Sequence, residues 1–202
     1  MTASSLPPQK IGLLGGSFNP AHDGHREISL AALKWLGLDS VWWLVTPGNP
    51  LKEAKDYAPY PERLATARLV ADHERIVISN FEYRRNLQYT ADTLKTLCND
   101  YSGMHFVWLM GADSLKNFHL WRHWRDIAQT APFAVFNRPG YETDALQSEA
   151  AEALAHFRID IAAVKTLPGM EPPAWVFFDG TDNPASSTAI RKGDNKRNTP
   201  TT

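Results

Sequence analysis

The stretch IGLLGGSFNPAHDGHREISLAALKWL, Ile11 to Leu36, decides the fold. It opens on a short apolar run, Ile11 to Leu14, and passes through a glycine-rich loop. It closes on a segment in which Ile28, Ala31, Ala32, Trp35 and Leu36 recur at i, i+3, i+4, i+7 and i+8. That spacing puts all five on one face of a helix, so the order is strand, loop, helix.

The same alternation continues along the chain. Val41 to Val45, Ile76 to Ile78, Phe106 to Met110, Phe133 to Phe136 and Trp175 to Phe178 read as further strands. Between them, helical patterns run from Pro61 to His73, through Ala91, Leu94, Leu97 and Tyr101, from Trp121 to Ala128, and from Glu142 to Phe157, with a short helix starting at Thr188. The strands are continuous apolar runs rather than alternating ones, as expected where helices cover both faces of a parallel sheet. The predicted class is α/β, a doubly wound, Rossmann-like parallel sheet in a three-layer α/β/α sandwich. Its ligands belong at the carboxyl ends of the strands, where strand order reverses. The organisation expected is a flexible N-terminal segment over 1–9, a single domain over 10–192 and a disordered tail over 193–202.

Composition narrows the function classes. The 202 residues are 43% hydrophobic, enough for a packed core, and 21 Lys+Arg stand against 22 Asp+Glu. Such a balance argues against an extended nucleic-acid surface, which needs many cationic phosphate contacts. Cys98 is the lone cysteine, so an internal disulfide and a Cys-rich zinc site are both excluded. The apolar runs fall well short of the roughly 18 residues of a membrane span, and the polar start of the chain lacks the pattern of an export signal. A cytoplasmic protein with no membrane or nucleic-acid partner, monomeric or a small homo-oligomer, is the expectation.

The loop Gly15 to His25 fits neither GxGxxG nor GxxxxGK[ST]. Gly15 and Gly16 let backbone approach a ligand closely, and Pro20 stiffens the turn. Phosphates favour the start of the helix that follows, where amides and the helix dipole attract negative charge. His22 and His25, three apart on a first helical turn, can each offer a ring N–H to a phosphate oxygen. A histidine pair can also hold a metal, but no cysteine and no obvious third ligand stands nearby. Far downstream, Ser186, Ser187 and Thr188 follow Pro184 and precede Arg191, a helix start with hydroxyls and a guanidinium that also suits an anion. Its plain alternative is an ordinary capped helix.

Gly15 to His25 resembles the histidine signature of the HxGH nucleotidyltransferase superfamily, in its Gly-Gly-[ST]-Phe-[DN]-Pro-x-His-x-x-His form, and Ser186 to Arg191 resembles that superfamily's distal Ser-[ST]-Thr-x-[IL]-Arg motif. The middle of the chain most resembles the nicotinate mononucleotide adenylyltransferases. Four segments carry that likeness: Thr46 to Lys52, Tyr89 to Leu94, Gly111 to Leu115 with Phe118 and Trp121, and Arg138 to Tyr141. The resemblance implies adenylyl transfer from ATP to nicotinate mononucleotide, giving nicotinate adenine dinucleotide and pyrophosphate, a late step of NAD biosynthesis. It implies His22, His25, Lys52 and Arg191 as catalytic residues. ATP would lie against Gly15, Gly16, Ser17, Phe18, the two histidines, Asp113, Ser187, Thr188 and Arg191. The acceptor would meet Asn19, Lys52, Thr90, Trp121 and Arg138, with Trp121 stacked on the pyridine ring, backbone amides near Thr90 on the carboxylate, and Arg138 on the phosphate.

The implied cofactor is Mg2+, held mainly by the ATP phosphates with no dedicated protein metal site. Asn19 stands where many members carry Asp, and an amide has no acid-base role. Each of Lys52, Arg138 and Trp121 taken singly also suits a surface charge or a core ring. The rival functions are an adenylyltransferase for nicotinamide mononucleotide or phosphopantetheine and a non-catalytic nucleotide-binding regulator; a fragment of an aminoacyl-tRNA synthetase has a like-spaced histidine pair, but the chain is too short and too little basic to add a tRNA-binding module.

Overall fold

A computed structural model describes residues 8–48, 58–137 and 142–179. All six expected strands form: β1 (Gln9–Gly16), β2 (Ser40–Val45), β3 (Ile76–Ser79), β4 (Met104–Gly111), β5 (Phe133–Phe136) and β6 (Trp175–Phe178). They make one sheet in the order β3-β2-β1-β4-β5-β6, with every neighbouring pair parallel. Gln9, expected in the flexible N-terminal segment, is the first residue of β1. Among the described residues the α-helices are α1 (Asp23–Trp35), α2 (Tyr60–Ala71), α3 (Phe81–Arg85), α4 (Thr90–Asp100), α5 (Ala112–Lys116), α6 (Trp124–Thr130), α7 (Glu142–Leu146) and α8 (Glu149–Ala153).

Apolar side chains fill both faces of the sheet. Leu94, Leu97, Phe118, Phe133 and Trp175 belong to one buried cluster. Ile28, Leu36, Trp43, Val107 and Phe136 belong to the other. Because both faces are covered, the strands are apolar on both sides, which is the pattern that reveals the fold in the sequence. Among the described residues no helix is long and apolar enough to cross a membrane.

The register shows where the sheet opens. β1 pairs with β4 only as far as Leu14 with Leu109. It stays beside β2 through Gly16 and Val45, while β4 stays beside β5 through Gly111 and Phe136. The two central strands therefore part at their carboxyl ends, and the crevice between them is the switch point at which such sheets bind ligands. Gly15 stands at that parting. A Cβ there would meet the Trp108 ring at 2.3 Å, so only glycine lets the indole lie against the strand.

Two helix expectations need correction. The helix expected from Trp121 begins at Trp124; Trp121 itself is extended, following a tight turn over Phe118–Leu120, and His123 caps α6 in a left-handed conformation. The helix expected from Glu142 to Phe157 is broken at Ser148. That hydroxyl donates to the Ala145 carbonyl at 2.7 Å and accepts from the Ala151 amide at 3.3 Å, so it ends one helix and caps the next. The helix expected from Thr188 and the tail over 193–202 lie outside the described residues.

Candidate active site

The loop between β1 and α1 is built on a buried ring. Phe18 is 1% exposed and has a left-handed φ of 46°, unusual for a side chain of that size. Its ring stacks on Trp43 of β2 at 4.9 Å, and that packing holds the backbone in place. The Phe18 side chain is thus spent on the core. Only its backbone is left to meet a nucleotide, which narrows the ATP contact expected of it.

His22 caps α1 from an extended conformation. Its N–H donates to His25 Nδ1 at 3.2 Å, the His25 N–H donates to the His22 carbonyl at 3.0 Å, and the rings lie 3.8 Å apart. Because Nδ1 of neutral His25 accepts a hydrogen bond, its proton sits on Nε2, the tautomer that can donate to a phosphate oxygen. His22 is buried and His25 is half-buried, with Phe18 at 4.7 Å behind it. A further relay fixes the start of the helix. Trp43 Nε1–H donates to Ser29 Oγ at 2.7 Å, and Ser29 Oγ–H donates to the His25 carbonyl at 2.8 Å. Ser29→Ala leaves the indole N–H buried without that acceptor, and urea unfolding should show a loss of about 1–3 kcal/mol.

A cavity of about 390 Å³ opens beside the same loop, a usual size for a small-molecule site. It is lined by Gly15, Gly16, Ser17 and Thr46 together with Glu82, Tyr89, Thr90, Trp108, Trp121 and Arg122, among others. Trp121 is braced edge-to-face by Phe118 at 5.4 Å and by Trp108 at 6.4 Å. The Arg122 guanidinium lies 4.5 Å over the Tyr89 ring. Thr90 begins α4, whose first turn has no side-chain cap, so an uncapped helix start stands at the cavity.

A parallel 3-2-1-4-5-6 sheet, a Gly-Gly-Ser-Phe loop at its switch point and a histidine pair capping the next helix agree with the outcome of comparison. The cytidylyltransferase-like family model matches residues 13–193. The chain belongs to the cytidylyltransferase-like family. A relative from Methylorubrum extorquens, named a probable nicotinate-nucleotide adenylyltransferase, is 50% identical over 182 residues, covering 90% of this chain and 98% of its own. One of the same name from Brucella abortus is 44% identical, over 90% of this chain and 94% of its own. Among solved structures, the Plasmodium falciparum nicotinic acid mononucleotide adenylyltransferase complexed with NaAD superposes with a TM-score of 0.64. It is 17% identical and covers 91% of this chain and 83% of that one, a likeness of fold.

Of the site residues expected in this cytidylyltransferase-like chain, Gly15, Gly16, Ser17, Thr90 and Trp121 meet at the cavity. His22 ends the loop that begins with these glycines and His25 lies in the first turn of α1; neither lines the cavity itself. Asp113 sits in the first turn of α5, and it is its neighbour Ser114 that lines the cavity. Asn19 is 5% exposed, and its Oδ1 accepts from the Ala58 amide at 3.0 Å, so its side chain fastens the segment leading into α2. Lys52, Arg138, Ser187, Thr188 and Arg191 lie outside the described residues.

Two residues that sequence reasoning passed over matter here. Arg63 of α2 is 2% exposed and donates to the carbonyls of Ser17, Thr46, Pro47 and Ala58 at 2.6–3.1 Å. Glu82 of α3 is 5% exposed in the cavity wall, and burial pushes its carboxyl up to about 7, against hydrogen bonds from Thr93 and Thr46 that act the other way. Periodicity had a usable signal for the first, because Arg63, Ala67 and Ala71 fall at i, i+4 and i+8 and form the buried stripe of α2. It offered none for the second.

Proposed function

We propose that the chain transfers the adenylyl group of ATP to nicotinate mononucleotide, releasing pyrophosphate and nicotinate adenine dinucleotide in the late part of NAD biosynthesis. The observation that carries this is the shared wall: a phosphate-type loop with two imidazoles and an aromatic cavity with Trp121 meet across Gly15 to Ser17. One side suits a triphosphate and the other a flat ring. Relatives 44–50% identical that are named nicotinate-nucleotide adenylyltransferases support the same reading.

The acceptor phosphate is an anion at neutral pH, so attack on the α-phosphorus needs no general base. Catalysis reduces to in-line positioning and neutralisation of charge on the transferring group. His25 Nε2–H and His22 would donate to phosphate oxygens, the start of α1 adds its dipole, and Lys52, Ser187, Thr188 and Arg191 would complete the grip on ATP. Trp121 would stack on the cationic pyridine ring, a contact worth on the order of 0.5–2 kcal/mol, while α4 amides near Thr90 and the Arg138 guanidinium would meet the acceptor's two anionic ends. The described residues hold no group of three His, Cys, Asp or Glu side chains placed for a metal. Imidazole and amide donors suit phosphate oxygens, so Mg2+ fits as an ion carried by the triphosphate, where it supplies charge neutralisation. We take the enzyme as cytoplasmic, monomeric or a small homo-oligomer; the balance of 21 Lys+Arg against 22 Asp+Glu suits small-molecule substrates rather than an extended polyanion.

The test is pyrophosphate release from ATP with three acceptors. Nicotinate mononucleotide should exceed nicotinamide mononucleotide and phosphopantetheine by more than about tenfold in kcat/KM, the scale of one charge-assisted contact. Equal rates with the amide, or a preference for phosphopantetheine, would overturn the acceptor assignment. Failure to turn over any of them would favour a nucleotide-binding regulator.

A further inference from the structure

The acceptor cavity contains one buried carboxyl for which phosphate chemistry has no use. Glu82 is 5% exposed and shares the cavity wall with Tyr89, Thr90 and Trp121. Its Oε1 accepts from Thr93 Oγ1 at 2.9 Å, which fixes the carboxyl against the first turn of α4. A ring stacked on Trp121 is bounded by this wall. A carboxylate there would share one cavity with an acidic ring substituent of like charge, an arrangement that raises the affinity of one of the pair for a proton.

We propose that Glu82 determines acceptor specificity: as a neutral acid it donates a hydrogen bond to the carboxylate on the pyridine ring, and acidic acceptor binds with uptake of a proton from solvent by Glu82. As a carboxylate the same group would repel the acid and accept from the N–H of an amide. Proton balance is simple, since one proton moves from water to Glu82 on binding the acid and none on binding the amide. This rests on the adenylyl-transfer reading above and adds to it a reason for acid-over-amide choice that changes with pH.

The surroundings leave Glu82 as the group to watch. From α2 come Tyr60, itself pushed up to about 12 chiefly by burial and in part by Glu82, and Arg63, which stays charged and is hydrogen-bonded to backbone carbonyls. On α3, Tyr83 stacks on Tyr60 at 4.3 Å, Arg84 is exposed, and Arg85 pairs with Asp100 of α4 at 2.6 Å. From α4 come the Thr93 hydroxyl and Asp92 at the surface, from the end of β2 the Thr46 hydroxyl, and from the segment before α4 Tyr89, under Arg122. Burial places the Glu82 carboxyl at about 7, inside the range in which the enzyme can be assayed.

The experiment measures kcat/KM for nicotinate and nicotinamide mononucleotides from pH 6 to 9 and follows their ratio. The two acceptors share phosphate, ribose and pyridinium, so titration of those groups and of the histidines cancels. The ratio should fall roughly tenfold between about pH 7 and 8.5, the behaviour of a single titrating group, and should be flat in Glu82→Gln, which is neutral throughout and keeps the Thr93 contact. A flat ratio in the unaltered protein, or an undiminished fall in the variant, overturns the proposal. Should Glu82→Gln not fold, calorimetry of the unaltered protein in two buffers of different ionisation heat decides instead. Near pH 8 the acid should bind with uptake of most of one proton more than the amide, and equal uptake for both overturns it. Absence of turnover of the acid at pH 6.5 would overturn the adenylyl-transfer reading itself, whereas turnover with a flat ratio removes only Glu82.

Discussion

His25→Ala should lower kcat by roughly a hundredfold or more, the loss that follows removal of one preorganised donor to a transition-state oxyanion, with KM for the acceptor little changed. The geometry makes this residue the sharper test of the pair. His22 is buried, whereas His25 is half-buried and has its Nδ1 occupied by the His22 amide, which commits Nε2 to donation. The variant also loses that capping contact, at a cost of about 1 kcal/mol. A thermal unfolding midpoint within a few degrees would therefore separate a lost donor from a lost fold. Near-normal turnover in single-turnover assays would remove His25 from the chemistry. Normal kcat with a raised KM for ATP would leave it a binding residue only.

The fold was legible because each strand announces itself twice. Val41 to Val45 and Phe133 to Phe136 are apolar without interruption, and each is followed by a break and then a helical period, which only a sheet covered on both faces explains. The order of the strands is another matter. No local signal sets β4 rather than β3 beside β1, because that choice is made by connections packing over the sheet. The short helices α3 and α5 were equally silent, being too short to show a period. The helix expected from Glu142 failed for a local reason, since Ser148 competes for the backbone where an alanine-rich run points to continuity.

At the site, residues chosen for the atoms they can offer were legible, and residues that act by where they are buried were not. Gly15, Gly16, Thr90 and Trp121 carry their chemistry in their type and in the motifs around them, and they meet at one cavity. Phe18 and Asn19 lie in the same loop, yet one side chain fills the core and the other fastens a neighbouring segment. A motif marks the place of a residue and is silent on which of its atoms faces the ligand. Glu82 looks like any surface glutamate until α4 closes over it, and only then does its carboxyl rise to about 7.

Arg63 is the extreme case, and Arg63→Leu should be the most damaging substitution to the fold of the site. A guanidinium has five donors in a rigid fork, and here they reach four carbonyls on three separate segments: Ser17 after β1, Thr46 and Pro47 after β2, and Ala58 before α2. Leucine fills part of the volume but takes the guanidinium from those half-buried carbonyls, where each bond to a charged donor is worth about 1.5–3 kcal/mol. Because the loops can relax toward water, the expected net loss is nearer ~3–5 kcal/mol, as when one partner of a buried charged contact is removed. Urea unfolding would read it. The functional sign is distinct from that of His25→Ala: the loops after β1 and β2 wall both the histidine side and the cavity, so KM should rise for ATP and acceptor together. Arg63→Lys, with one compact cation in place of a fork, should fall between, since an ammonium cannot reach all three segments at once. A leucine variant within about 1 kcal/mol of the parent and with unchanged KM values would mean that the loops hold their shape without Arg63, and that the strands parting beyond Leu14 and Leu109 suffice to define the site.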